Sequence, residues 1–375
     1  MTHAHPTPQP TFALTLETNN LRGGDEADAG RTLRALEGLF EKLAGEIANL
    51  GRPLEIVVTH DGLTSDERER LERKLGLTAR WLRIGPEVGY YQAKNLAFDA
   101  TTADVVAFAD ADCEPQAGWL RALLDPFTWS DASVVAGRTT YAPTILGAAA
   151  SSIDFMYFRG EDFVPRGGGR SLPTTQNFYA NNVAFRRAVF DRFRYRVAAG
   201  VYRGHCQKLG LALGAAGVPI VYVASAHTIH RFPDEVSELF RLRLLRGADT
   251  VELAPELVAR ATPWRPRPGS RSLGPALTVL GARFALAERT LGRATEPEAG
   301  LTFPLYPDAG SPVARRTRAA VAAITFADAA GAVAKAVLHR DLGVHDGGLR
   351  RGLGYHGRPA RPRAHRWLHL PPLVG

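Results

Sequence analysis

Two aspartates directly follow an apolar run near the middle of the first half of the chain. Residues 105–109, Val-Val-Ala-Phe-Ala, are typical of a buried strand, and Asp110, Asp112 and Glu114 follow it before Pro115. In an open α/β sheet, ligands bind beyond the carboxyl ends of the strands. Carboxylates there suit a hard divalent cation, whose shell substrate phosphates often complete. A solvated acidic turn is the alternative interpretation, because two aspartates at this spacing are by themselves a weak signal.

The segments around this turn alternate between strand and helix patterns. Strands are predicted at residues 12–18, 54–59, 81–84 and 105–109, and helices at 33–50, 65–75 and 89–100. This order predicts an α/β fold with a mostly parallel sheet and right-handed crossovers. The sequence lacks the Gly-x-Gly-x-x-Gly turn of a dinucleotide site.

The pattern continues beyond the acidic turn with less regular spacing. A helix is predicted over 144–160, and the Gly-, Arg- and Pro-rich residues 161–176 are long enough for a functional lid. Shorter elements are predicted as helices at 119–127, 186–193 and 204–216 and as strands at 133–137, 181–185 and 219–223, with His227 and His230 after the last strand. An amphipathic helix is predicted over 233–248, with its leucines inward and Arg241, Arg243 and Arg246 outward.

Composition limits the class of protein. The chain has 375 residues, 45% of them hydrophobic, and no apolar run long enough to predict a membrane-spanning helix. Its polar, Pro-rich first residues do not resemble a signal peptide. Two cysteines, Cys113 and Cys206, make no disulfide framework, so a cytoplasmic setting is expected.

The positive charge is concentrated in the last third of the chain. The net charge is +8, and the segment from Arg260 onward contains 18 lysines and arginines but only 7 acidic residues. Such a region can contact nucleic acid, an anionic membrane surface or a polyanionic acceptor, or it can simply be solvated. The predicted organisation is a disordered N-terminus at 1–10, a catalytic-type domain at 11–255 with halves 11–115 and 116–255, a linker and helical extension at 256–340, and a loosely ordered basic tail at 341–375.

Six short motifs, in order, resemble those of glycosyltransferase family 2, the nucleotide-sugar enzymes with the GT-A fold. The resemblance covers about residues 12–250, and it implies a GT-A domain with a helical C-terminal extension. The motifs are Glu17-Thr18-Asn19, Val57-Val58-Thr59-His60-Asp61-Gly62, Gly89-Tyr90-Tyr91-Gln92-Ala93-Lys94-Asn95-Leu96-Ala97, Phe108-Ala109-Asp110-Ala111-Asp112, Asn182-Val183-Ala184-Phe185-Arg186-Arg187 and Ala226-His227-Thr228-Ile229-His230.

The resemblance implies roles for individual residues. Asp61 would accept a hydrogen bond from the base, and Lys94, where the family usually has arginine, would reach the ribose or phosphates. Asp112 would hold Mg²⁺ or Mn²⁺, with Asp110 bonding the ribose or the metal and His230 completing the metal shell. The remaining implied positions are Glu17, Thr18 and Asn19 on the donor side and Asn181, Asn182 and Arg186 on the acceptor side.

One departure from the family concerns the general base. Inverting members often carry a Glu-Asp pair on a helix, and the corresponding positions here are His205 and Cys206. An inverting transfer needs a base within reach of the acceptor hydroxyl. His205, or Glu161 or Asp162 from the predicted lid, could serve; alternatively, catalysis is lost or altered.

The sequence therefore predicts a metal-dependent glycosyltransferase of cell-envelope, polysaccharide or glycoconjugate synthesis. The implied partners are a UDP- or GDP-sugar and a hydroxyl acceptor, lipid-linked or polysaccharide, without nucleic acid. The basic C-terminal region offers a peripheral membrane contact. A nucleotide-sugar-binding protein without turnover, a scaffold or surface-recruitment module that depends on the basic tail, and a nucleotidyltransferase remain as alternatives.

Overall fold

A computed structural model of the protein describes residues 9–18, 26–85, 88–142, 144–197, 204–233, 235–266, 273–290, 301–302 and 312–341. The first half contains, in chain order, β1 Phe12–Glu17, α1 Glu26–Leu50, β2 Glu55–His60, α2 Ser65–Leu75, β3 Arg80–Arg83, α3 Tyr90–Asp99, β4 Val105–Asp110, β5 Cys113–Pro115, α4 Trp119–Leu124, α5 Pro126–Trp129 and β6 Val134–Tyr141. The second half contains α6 Ile145–Asp154, β7 Tyr157–Phe158, β8 Thr174–Thr175, β9 Asn182–Arg186, α7 Arg187–Phe193, α8 His205–Ala215, β10 Ile220–His230, α9 Val236–Ala261, α10 Leu273–Thr290, β11 Leu301–Thr302 and α11 Pro312–Asp341.

The centre of the fold is a nine-stranded sheet in the order β3-β2-β1-β4-β9-β6-β10-β5, with β8 paired to β10. Six of these strands, β1 to β4, β6 and β10, run in one direction, and β9, β5 and β8 run against them. The mostly parallel α/β architecture expected from the sequence is thus confirmed, as is the helical region at the C-terminal end.

Alternation along the central strands produces a helical layer on each face of the sheet. In β4, Val105 and Ala107 pack with α1, α2 and α4, whereas Val106 and Phe108 pack with α3, α7 and α8. Successive strand residues point to opposite faces of the sheet, so the apolar residues 105–109 of β4 are covered on both sides. The sheet is therefore the middle of three layers, and its edges are the parts open to ligands.

Three predicted elements differ from the structure. The helix predicted over 144–160 ends at Asp154, because Tyr157 turns into β7 and packs its ring on Tyr179 and Tyr222. The strand predicted over 219–223 continues to His230 after an irregularity between Val223 and His227, so both histidines lie within β10. Helix α9 runs to Ala261, through Pro255, because its second half packs against α10 and α11.

Helices α9, α10 and α11 pack together and against α6 to form a second helical cluster. Arg243 of α9, predicted to face solvent, is 2% exposed and ion-paired with Asp154 of α6 and Asp328 of α11. The sequence prediction failed here because the two acidic partners lie 89 and 85 residues away. Arg246 also turns toward Asp154, so of the three arginines Arg241 alone is exposed as expected.

Among the described helices, α11 is long and apolar enough over Ala314–Ala336 to cross a membrane. No membrane-spanning helix was expected from the sequence. Half of the most apolar stretch of α11 is buried inside the protein. Its two buried charges face α9, since Asp328 pairs with Arg243 and Lys335 with Glu252. Here α11 serves as a packing partner of α9.

Two glycines set the distance between α9 and α11, which gives a stability prediction. A Cβ on Gly247 would overlap the carbonyl oxygen of Asp328, and one on Gly331 would overlap that of Leu244. Because the obstacle is backbone, the helices would have to separate, and we expect Gly247→Ala to lower the free energy of unfolding by about 3 kcal/mol. Gly281→Ala in α10 is the control, since no atom lies within 4 Å of its Cβ position. Urea unfolding should show that the control gains up to about 1 kcal/mol; equal stabilisation in both variants would contradict the close crossing.

Candidate active site

The carboxyl ends of the parallel strands meet at one edge of the sheet. Glu17, at the end of β1, is in register with Thr59 of β2 on one side and with Asp110 of β4 on the other. Asp61 follows β2, and Asp112 follows β4. The structure thus brings the predicted donor and metal residues of three strands to the same edge, which we call the site edge.

A compact group of possible metal ligands lies at this site edge. One ligand atom each from Asp110, Asp112, Cys113 and His230 fall within 4.8 Å of one another. The group forms because β5 folds back antiparallel to β10, which sets Cys113 opposite His230. The His230 Nε2 lies 3.5 Å from Asp112 Oδ2. The sheet therefore brings together Asp110 and His230, which are 120 positions apart in the sequence.

The chemistry of this group fits a hard divalent cation. Burial raises the pKa of the Asp112 carboxyl, and the nearby His230 ring opposes that rise. Burial also raises the pKa of the Cys113 thiol well above its usual range, and hard cations prefer oxygen ligands to sulfur. The two carboxylates and the imidazole are therefore the ligand set that suits Mn²⁺ or Mg²⁺.

Asp110 is held from two sides by residues of α3. Lys94 Nζ donates to Asp110 Oδ1 at 2.5 Å, and the Tyr90 hydroxyl donates to Asp110 Oδ2 at 2.6 Å. Lys94 is only 1% exposed, so it acts on Asp110 in this structure, which corrects the prediction that it reaches the donor directly. Tyr90 fixes the carboxylate as well.

The other donor-side residues differ in exposure. Thr18 is buried, and its hydroxyl donates to the Thr59 carbonyl at 2.7 Å, so it joins β1 to β2. Glu17 is 2% exposed, whereas Asp61 is half-buried beyond the end of β2. Asn19 lies outside the described residues. Asp61 is the predicted base contact whose position at the site edge best suits that role.

The predicted acceptor-side residues are parts of the framework. Asn182 is fully buried, donates to the carbonyls of Arg138 and Ala226 at 2.8 Å, and accepts from the Trp119 indole at 2.9 Å. Its amide is therefore engaged by protein atoms from three other elements. Asn181, 5% exposed, accepts a hydrogen bond from the Thr139 hydroxyl. Both lie near the site edge, but their contacts stabilise the sheet.

Arg186 lies at the other end of the sheet. It pairs with Val105 at the start of β4, and Val105 lies about 16 Å along that strand from Asp110. Its guanidinium donates to the carbonyls of Ala132 and Ser130. This position corrects the acceptor-side prediction for Arg186.

Two of the three candidate bases, Glu161 and Asp162, also lie away from the site edge. The segment with Glu161 and Asp162 folds against Thr174, which lies beside Val221 at the start of β10. Measured along β6, that end of the sheet lies about 20 Å from Tyr141, which is at the site edge. The predicted lid therefore covers the opposite edge. Asp162 is instead ion-paired with Arg159 on the surface.

His205 lies nearer to the site edge but is enclosed. It is the first residue of α8, is 3% exposed, and its ring packs on Tyr91 at 4.5 Å between centroids. Tyr91 in turn packs on Tyr90, which binds Asp110. Within the described residues, His205 is therefore a buried ring that packs between α3 and α8. Cys206 beside it is buried and accepts or donates a hydrogen bond with the Tyr91 hydroxyl, as expected of a packing residue.

Comparison with known proteins assigns the domain that carries this site. The family model described as glycosyl transferase family 2 matches residues 31–194. These residues belong to glycosyltransferase family 2. The resemblance seen in the sequence motifs is thereby confirmed for the part of the family 2 domain that holds Asp61, Asp110 and Asp112, while His230 lies beyond the matched range.

Individual relatives of the family 2 domain are distant. A curated relative is the glucosyl-dolichyl phosphate glucuronosyltransferase of Haloferax volcanii, 26% identical over 165 residues, which are 42% of this chain and 51% of that protein. The chain thus spans about half the length of the curated relative that it matches.

Similar solved structures include a mannosyltransferase of Pyrobaculum calidifontis in complex with GDP-Man and Mn²⁺, 18% identical with a TM-score of 0.49 over 90% of this chain and 88% of that one. Another is the glucosyl-3-phosphoglycerate synthase of Mycobacterium tuberculosis with Mg²⁺ and UDP, 18% identical with a TM-score of 0.39 over 67% and 79% of the two chains. Because both TM-scores are below 0.5, the family assignment depends on the family model and the motifs.

Sequence reasoning missed one residue behind the metal group. The Tyr141 ring, at the end of β6, contacts His230 edge-on at 5.4 Å between centroids. Its hydroxyl donates to Asp154 at 3.0 Å and accepts from Arg246 at 3.0 Å. Tyr141 thus joins the family 2 site edge to the buried charges of the helical cluster. No pattern in the sequence indicated this role, because the strand predicted over 133–137 ends four residues before Tyr141.

Proposed function

We propose that this chain transfers a glycosyl group from a nucleoside diphosphate sugar to a hydroxyl acceptor with the help of a divalent metal. The observation that carries the proposal is the group of Asp110, Asp112 and His230, whose ligand atoms converge at the site edge of a family 2 domain. The family assignment favours this function over a nucleotidyltransferase. The UDP- and GDP-sugars proposed from the motifs remain the donor candidates.

In this proposal each residue of the site edge has a distinct task. Asp112 and His230 would hold Mn²⁺ or Mg²⁺, and Asp110, oriented by Lys94 and Tyr90, would bind the metal or the ribose. A bound metal neutralises the negative charge that develops on a leaving diphosphate. Asp61 would accept a hydrogen bond from the nucleotide base at the neighbouring strand end.

The setting and the acceptor are also proposed. The curated relative's name refers to dolichyl phosphate, which supports a lipid-linked acceptor and a role in cell-envelope or glycoconjugate synthesis. Neither Cys113 nor Cys206 forms a disulfide, which supports a cytoplasmic location, and the basic C-terminal region is proposed to contact the membrane surface.

A second candidate function is donor binding without sugar transfer. It is favoured by the positions of the base candidates, since Glu161 and Asp162 lie at the opposite edge and His205 is enclosed by Tyr91. Both functions require the metal group, so they share donor binding and differ in turnover.

A thermal-shift screen of nucleotide sugars with and without Mn²⁺ tests the proposal. A ligand that binds only the folded state at 100 times its dissociation constant stabilises it by about 2.7 kcal/mol. We expect one or more nucleotide sugars to raise the melting temperature only when Mn²⁺ is present. No metal-dependent shift with any UDP- or GDP-sugar would contradict the proposal. Release of nucleoside diphosphate from the stabilising donor then separates a transferase from a binding protein.

A further inference from the structure

An apolar cavity opens beside the metal group on the side away from the donor residues. Its volume is about 390 Å³, within the usual range for small-molecule pockets. The first turns of α6 and α9 and the segment after β10 form its walls. Six of its eight lining residues are apolar (Ile145, Leu146, Phe232, Pro233, Val236 and Leu239), and the other two are Thr144 and Glu235.

The cavity adjoins the metal group through stacked rings. Phe232 packs on Tyr141 at 5.2 Å between centroids, and Tyr141 packs on His230 at 5.4 Å. Along the sheet, β6 and β10 lie on the far side of β4 and β9 from β1 and β2. A donor nucleotide at Asp61 would therefore leave this cavity open, and a second substrate could enter from here.

The apolar surface continues outside the cavity. Val236 on its rim is 56% exposed, and Phe240, one turn further along α9, is 36% exposed. Two large apolar side chains one turn apart at the mouth of an apolar cavity suit a flexible hydrocarbon chain better than a sugar, which needs hydrogen-bonding partners. Arg231, which lies between His230 and Phe232 in the chain and is exposed, adds a positive charge after the end of β10.

We propose that this cavity binds the hydrocarbon chain of a prenyl-phosphate-type acceptor, with the chain leaving over Val236 and Phe240. The proposal rests on the proposed function, because it assigns the acceptor of the same site. It explains why the acceptor side of a site built from carboxylates and a histidine has an apolar wall.

Farnesyl phosphate, a short prenyl phosphate, is the probe, and its binding to the full chain is measured by titration calorimetry. Val236→Glu introduces a carboxylate at the exposed rim in the first turn of α9, where an acidic residue is favourable for the helix. We expect this variant to bind the probe at least about tenfold more weakly than the wild type. Leu277→Glu is the matched control, an apolar residue 42% exposed near the start of α10, and it should bind like the wild type.

Three results would overturn the proposal: no binding of farnesyl phosphate, equal binding by Val236→Glu and the wild type, or equal binding of inorganic phosphate alone. Donor binding with Mn²⁺, measured separately, should be unchanged in Val236→Glu. If farnesyl phosphate binds as expected but no nucleotide sugar does, the proposed function fails while the cavity assignment stands. If the donor binds and farnesyl phosphate does not, only the cavity assignment fails.

Discussion

Replacing Asp112 with asparagine is expected to lower metal-dependent turnover by about 10³-fold while the fold remains intact. Asp112 lies between the other ligands, since its Oδ2 faces His230 and its Oδ1 accepts from the Cys113 thiol at 3.7 Å. Asparagine keeps the shape but removes the charge that would hold the cation. A loss of this size corresponds to about 4 kcal/mol, which is in the range of one metal ion's contribution to charge stabilisation.

Metal binding and stability give two separate readouts for Asp112→Asn. Calorimetric titration with Mn²⁺ should show a large loss of affinity. The melting temperature without metal should not fall, because burial raises the pKa of Asp112 and so makes its charged form costly in the folded protein. Glu114→Gln is the matched control, because this carboxylate of the same acidic turn is 53% exposed and paired with Lys42. Full metal-dependent turnover in Asp112→Asn would show that the metal site has been misassigned.

Replacing Asp328 with alanine is expected to cost about 3–5 kcal/mol of stability, because it leaves part of a buried charge without its partner. Arg243 Nε donates to Asp328 at 2.8 Å and its Nη1 donates to Asp154 at 2.6 Å, with all three side chains at most 7% exposed. Burial lowers the pKa of Arg243, but the two carboxylates more than offset this, so it stays charged. Removing one carboxylate therefore removes a large part of the compensation for a buried guanidinium.

Urea unfolding of the full chain measures this loss, and an exposed ion pair supplies the control. Asp191 pairs with Arg194 at 3.0 Å, with side chains 49% and 35% exposed, and Asp191→Ala should cost less than about 1 kcal/mol. If Asp328→Ala cost no more than the control, Arg243 would have to reach solvent or another acid. Because Asp154 also holds Tyr141, which packs on His230, a moderate loss of Mn²⁺ affinity in Asp328→Ala would show that the helical cluster supports the site.

The sequence by itself determined the parts of this protein that depend on local pattern. Alternation in β1 and the apolar runs in β2 and β4 predicted strands, and the polar residues after them, such as Asp61 and Asp112, had to meet at one edge because parallel strands end on the same side. The family 2 motifs lie at these same strand ends, so the sequence was enough to predict both the fold class and the metal group.

Only the tertiary structure decided which polar side chains are available for chemistry. Lys94, Asn182 and Arg243 look like surface or ligand residues in sequence, but each is buried against partners 15 to 89 residues away. The segment with Glu161 folds against β10 at the opposite edge because of one short strand pairing. The free energy of burying a charge or an amide depends on whether a distant partner meets it. No local sequence pattern contains that information. The apolar pattern that predicts each strand, by contrast, lies in residues that are adjacent in the sequence.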